Sequence, residues 1–108
     1  MRFSDLDGRS IGVWGAGIET RAFGRVLGSA LPAARITVLV LEDASDPSEL
    51  ASDATVVGAA GAVDALSGCD VLVRSPGVSI YRPELQQLRR AGLTITTPTG
   101  LWLAERGG

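Results

Sequence analysis

Residues Arg35–Leu41 read Arg-Ile-Thr-Val-Leu-Val-Leu, a β-branched run almost continuous in apolar character. That composition is expected of a parallel strand buried on both faces, and it constrains the fold more than any other stretch of the chain. Shorter runs of similar kind occur at Arg9–Trp14 and Asp70–Arg74, with further candidates at Ala54–Val57 and Leu93–Thr96. Helix-period segments lie between them. From Ile18 the apolar residues Ala22, Phe23, Val26, Leu27, Ala30 and Leu31 recur at helical spacing, Arg21 and Arg25 fall opposite, and Pro32 ends the pattern. Asp46-Pro47-Ser48-Glu49 reads as a capped helix start, Val63–Leu66 as a helical turn or two, and Pro83–Ala91 as a helix with Leu85, Leu88 and Ala91 on one face. Pro98–Arg106 reads as a tail. Strands alternating with helices through short connections imply an open α/β parallel sheet of about five strands, Rossmann-like, with helices on both faces.

The length of 108 residues suits one domain spanning 1–108, without an internal repeat or linker. A net charge of −2 argues against a nucleic-acid surface. The longest apolar stretch, Ile36–Leu41, is far short of the ~20 residues of a membrane span, and no cationic-then-apolar leader opens the chain. One cysteine, Cys69, agrees with a reducing, cytoplasmic setting and reads as a small semi-buried side chain. There is no histidine, and all ten basic residues are arginine. Those absences exclude a Ser-His-Asp triad, a His-ligated metal, a Schiff-base lysine and a P-loop lysine within this chain. Neither a catalytic residue nor a metal ligand is assigned.

In a sheet of this kind the second and third strands lie on one side of the first, and the fourth and fifth on the other. The default ligand crevice opens where that order reverses, at the carboxyl ends of strands one and four. Strand one is followed by Gly15-Ala16-Gly17-Ile18-Glu19-Thr20, whose glycines permit a tight turn and let the first helix aim unpaired amides at an anion. Thr20 stands where the dinucleotide fingerprint has its third glycine. Strand four is followed by Ser75-Pro76-Gly77-Val78, in which Gly77 is expected at positive φ and the amides with the Ser75 hydroxyl are expected to bind phosphate oxygens. Arg74 and Arg82 flank this loop and add positive potential. Trp14 reads either as packing beside the glycine loop or as the wall of a base pocket.

Together these loops resemble the N-terminal domain of a Mur ligase, of the MurD type that adds glutamate to UDP-N-acetylmuramoyl-alanine. The resemblance covers nearly the whole chain. It rests on Gly15–Glu19, on Val73-Arg74-Ser75-Pro76-Gly77-Val78-Ser79-Ile80-Tyr81-Arg82-Pro83-Glu84-Leu85, and on Ala91-Gly92-Leu93-Thr94-Ile95. It implies that the domain holds the uridine diphosphate end of the substrate, as the N-terminal part of a longer ligase of peptidoglycan precursor synthesis. By position, Gly17, Ile18 and Glu19 correspond to the loop against the uracil ribose, and Ser75, Pro76 and Gly77 to the loop along the diphosphate. Val40, Leu41 and Glu42 fall near the uracil contacts at the end of strand two. ATP and Mg²⁺ are implied for the full-length enzyme, bound by a separate central domain, and no cofactor for this part.

Under that resemblance the missing lysine belongs to the ATPase domain, toward which Leu101, Trp102 and Leu103 are expected to pack. In this chain alone the same residues are expected to fold back on the sheet edge or to mediate a dimer. The competing reading is an NAD(P)-binding Rossmann domain of an oxidoreductase, with Glu42 or Asp43 gripping the ribose. A regulatory module without a ligand is the third.

Overall fold

The computed structural model describes residues 2–15, 18–41, 54–75, 77–79 and 81–107, and for residues 18–21, 106 and 107 the backbone alone. Five strands form one sheet: β1 (Ser10–Trp14), β2 (Arg35–Val40), β3 (Thr55–Val57), β4 (Val71–Arg74) and β5 (Thr94–Thr96). Their order is β3-β2-β1-β4-β5 and every neighbouring pair is parallel. The helices are α1 (Ile18–Ala30), α2 (Ala62–Leu66), α3 (Pro83–Arg90) and α4 (Pro98–Gly107), with 3-10 turns at Phe3–Leu6 and Ala59–Gly61. The open Rossmann-like α/β architecture expected from the strand pattern is therefore the one observed. The expected helix start at Asp46–Glu49 lies outside the described residues.

Side chains alternate through the central strands into two layers. Ile11 and Val13 of β1, with Val71 and Val73 of β4, pack under Phe23 and Leu27 of α1 and Leu101 of α4. Trp14, with Leu72 of β4 and Val38 and Val40 of β2, packs on the other face under Leu66 of α2 and Leu85 and Leu88 of α3. Burial on both faces makes the near-continuous apolar runs of β1, β2 and β4 intelligible, at about 1.5–3 kcal/mol per fully buried aliphatic side chain.

Local chemistry tunes this frame in three places. The β1–β2 register shifts between Ile11 and Gly12, from Ile11 opposite Ile36 to Gly12 opposite Val38, so Thr37 is passed over. Thr37 Oγ1 meets Ser10 Oγ at 2.8 Å and Cys69 Sγ at 3.6 Å, which satisfies the one polar residue inside that run. Gly12 lies beneath α2, where a Cβ would strike the Leu66 side chain. At the end of α3, Gly92 adopts φ +98°, the Leu93 N–H donates to Leu88 O at 3.1 Å, and the Gly92 N–H donates to Arg89 O at 3.1 Å. Those two bonds form a Schellman motif, which closes the helix just before β5.

Three expectations are corrected. Residues 98–107 are a helix, not a tail: Thr97 Oγ1 accepts the Gly100 N–H at 3.0 Å and Pro98 occupies the first turn. The apolar face of α1 is narrower than its sequence periodicity, because Phe23 and Leu27 are buried while Ala22, Val26 and Ala30 are exposed. Ala91 sits past the end of α3 and is exposed, so that face consists of Leu85 and Leu88. The amino-terminal 3-10 turn carries no strong sequence signal, yet it buries Phe3 and Leu6. The Phe3 ring lies 4.5 Å from that of Trp102, and the Ser4 hydroxyl donates to Glu105 Oε2 at 3.0 Å, tying the turn to α4. Among the described residues no helix is long and apolar enough to cross a membrane.

Candidate binding crevice

The main-chain ladder continues one residue past three strand ends. The Leu41 N–H donates to Val57 O at 3.0 Å, the Gly15 N–H to Val40 O at 2.9 Å, and the Ser75 N–H to Trp14 O at 2.8 Å. Leu41, Gly15 and Ser75 are thereby fixed side by side along the carboxyl edge of the sheet. With neighbouring strands about 4.8 Å apart, the row spans roughly 10 Å. It sits where the strand order reverses between β1 and β4.

Gly15 lets the two loops close on each other. Its φ is +101°, and a Cβ there would lie 2.8 Å from Ser75 Cβ, 3.6 Å from Ser75 Oγ and 3.5 Å from Val78 Cγ2. A side chain would meet both obstacles at once, a left-handed backbone and a filled space. The Val78 N–H donates to Ser75 O at 2.9 Å and closes Ser75–Val78 as a four-residue turn. Gly77 does not have the positive φ expected of it, and a Cβ on Gly77 would meet nothing within 4 Å. A Ser-Pro-Gly turn of this length closes with either of two geometries, and only one of them demands glycine after the proline.

The flanking arginines are engaged by the protein itself. Arg74 Nη1 donates to the Val78 carbonyl at 2.9 Å. The Arg82 guanidinium lies 5.0 Å from the centroid of the Trp14 ring, and its Nε is 3.5 Å from Glu84 Oε1. The Glu84 carboxyl is held below the usual range, chiefly by a hydrogen bond from its own backbone N–H and further by Arg82. Trp14 is fully buried, so its indole packs in the core and walls no open pocket. Trp14 Nε1 has no hydrogen-bond partner among the described residues.

The expected site residues therefore divide. Gly15, Ser75 and Val78 are brought into contact distance at the crevice. Val40 and Leu41 reach the same edge with buried side chains, and the Val40 carbonyl is taken by Gly15, so both act as frame for the rim. Gly77 is exposed beside it. The backbones of Ile18, Glu19 and Thr20 form the first turn of α1, while Ala16, Gly17, Glu42 and Pro76 lie outside the described residues. The bond from Arg74 to Val78 is the feature that sequence reading missed. Its signal was an arginine at a strand end with a turn carbonyl four residues on.

The chain is 38% identical over 106 residues to the UDP-N-acetylmuramoyl-L-alanine–L-glutamate ligase of Xanthomonas campestris pv. campestris strain 8004, matching 97% of this chain and 23% of that protein. Proteins of the same name from a Micromonospora species and from Xylella fastidiosa are 39% and 32% identical, over 97% and 96% of this chain and 24% and 22% of their own length. The chain thus spans about a quarter of the length of these relatives. No family model matches, and no solved structure matches. Over nearly its whole length, the chain is similar to the N-terminal part of the MurD-type Mur ligases.

Proposed function

We propose that this domain holds the uridine diphosphate end of UDP-N-acetylmuramoyl-alanine within an ATP-dependent, glutamate-adding ligase of peptidoglycan precursor synthesis. One observation carries the reading: the Gly15 loop and the Ser75–Val78 turn meet at the carboxyl ends of β1 and β4, closely enough that only glycine fits at position 15. The start of α1 follows the first loop, which suits an anionic ligand lying along the two. The relatives' names specify L-glutamate, and that enantiomer is the one we propose for the whole enzyme. Selecting it is work for the rest of such a protein, and Leu103, 64% exposed on α4, is our candidate contact toward that part.

The residues of this chain do not fit ATP with Mg²⁺. It has no lysine and no Gly-Lys-Ser/Thr segment, and among the described residues no cluster of acids or cysteine suits a metal ion. No phosphoryl-transfer step is assigned to it. Its part is to bind and orient a nucleotide-activated sugar, in the cytoplasm where ATP is available to the partner domain.

Isothermal titration of the 108-residue chain with UDP should give weak saturable binding, about 4–6 kcal/mol, because contacts to the muramoyl-alanine end are missing. Gly77→Ala should weaken that binding without lowering the melting temperature, since its methyl group would meet nothing in the folded chain but would crowd a ligand laid along the turn. Saturable binding of NAD with none of UDP would overturn the reading.

A further inference from the structure

The Ser75–Val78 turn is anchored at its two ends, by the Ser75 N–H on Trp14 O at 2.8 Å and by the Val78 side chain packed against the core around Trp14 and Leu85. Gly77 is exposed and a side chain there would touch nothing, while Ser79 and Tyr81 beyond it are exposed as well. Val78 is also hydrogen-bonded on both sides of its Cα. Its N–H donates to Ser75 O at 2.9 Å, and its carbonyl accepts from Arg74 Nη1 at 2.9 Å. Arg74 ends β4 directly opposite Trp14 of β1, so its backbone belongs to the rigid centre of the sheet. Its half-buried side chain reaches forward over the turn that follows. The same turn places the Val78 side chain 3.5 Å from the space that Gly15 leaves open. A shift of Val78 would therefore disturb the contact between the two loops as well.

We propose that Arg74 is a positioning residue, whose guanidinium grips the Val78 carbonyl and presets the Ser75–Val78 turn for a phosphate group. The inference rests on the diphosphate reading of the crevice. It assigns Arg74 a role that its charge alone does not suggest. A charged donor bonded to a carbonyl is among the stronger hydrogen bonds. The bond costs the ligand nothing to form, because it exists before the ligand arrives.

Arg74→Met removes the donor and keeps much of the side-chain length, while Arg74→Lys keeps a charged donor. Three readouts separate positioning from direct contact: amide exchange at Val78 in the free protein, UDP affinity, and the salt dependence of that affinity. We expect Arg74→Met to speed exchange of the Val78 amide and to weaken UDP binding about ten- to a hundredfold, with an unchanged salt slope. Uridine, which lacks phosphates, should bind the variant as it binds the parent, and Arg74→Lys should recover most of the loss. Faster exchange with unaltered UDP affinity would make the bond merely structural and overturn the proposal. Weaker binding with unaltered exchange and a flatter salt slope would overturn it in favour of a direct ion pair with phosphate. If Arg74→Met does not fold, Arg74→Leu, which also removes the donor, carries the same three readouts with the same expected effects, and parent-like values in all three overturn the proposal. A parent chain that binds neither UDP nor pyrophosphate defeats the diphosphate reading itself, and the positioning role with it. A binding parent beside an indifferent Arg74→Met defeats the positioning role alone.

Discussion

Gly15 carries a double constraint that no other residue can meet. Alanine there would occupy a left-handed φ of +101° and push its methyl group to 2.8 Å from Ser75 Cβ. The first costs about 1–2 kcal/mol and the second about 1–3 kcal/mol, so Gly15→Ala should lose roughly 2–5 kcal/mol of stability in urea unfolding. Gly77→Ala should lose almost none, because its φ is outside the left-handed region and its surroundings are open. The pair isolates backbone and packing demand from the mere presence of glycine in a loop. Both glycines follow apolar strands in the sequence. Only Gly15 is pressed against a neighbouring chain segment, and that neighbour arrives from sixty residues away (Ser75).

At the scale of elements, α4 shows how much a short amphipathic segment depends on what it lands upon. Leu101 is fully buried against the β1–β4 face, Trp102 stacks on Phe3, and Glu105 holds Ser4. Leu101→Ala should therefore cost about 2–5 kcal/mol, as deletion of a buried leucine does. Leu103→Ser, on the outward side, should stay within about 0.5 kcal/mol of the parent in thermal unfolding of this chain. If Leu103 contacts a neighbouring domain, the same substitution should lower activity of the longer ligase. Thr97-Pro98 was a legible helix start, a capping threonine before a first-turn proline. The glycine two residues later and the two at the end obscure it, since glycine weakens helix propensity. The α1 face errs in the other direction. Its periodicity allows a broad apolar stripe, but Ala22, Val26 and Ala30 remain exposed in the folded chain.

For the molecule as a whole, composition sets the response to pH. Without histidine, no side chain with an ordinary pKa near 6.5 is present to titrate across neutrality. Asp5 is held below its ordinary 3.8, chiefly by the Arg2 backbone N–H, and Glu84 below its ordinary 4.5, chiefly by its own backbone N–H. A carboxyl lowered by folding favours the folded state above its unfolded pKa, and that contribution is lost as pH falls through the folded value. The melting temperature should thus be nearly flat from about pH 6 to 8 and fall as acid passes below about pH 4. A transition centred near pH 6 would contradict this assignment. Arg82→Ala should move the acid limb at Glu84 slightly upward, because it removes the weaker of the two groups holding that carboxyl down.

The sequence by itself determined the strand set and the parallel sheet. Those properties follow from local chemistry: β-branched apolar runs cannot be solvated, and Ser-Pro-Gly or Gly-x-Gly cannot continue a strand or helix. The β3-β2-β1-β4-β5 order is the one expected of a doubly wound sheet of this kind. The tertiary structure alone decided which loop glycine was obligatory, where the arginines went and whether Trp14 faced a ligand or the core. Arg74 and Arg82 look alike in sequence, as cations flanking a phosphate-type loop. One binds the Val78 carbonyl and the other lies over Trp14 beside Glu84. The physical reason is reach: a long side chain takes whichever acceptor or ring the assembled sheet brings within its length, and that choice depends on residues distant in the chain.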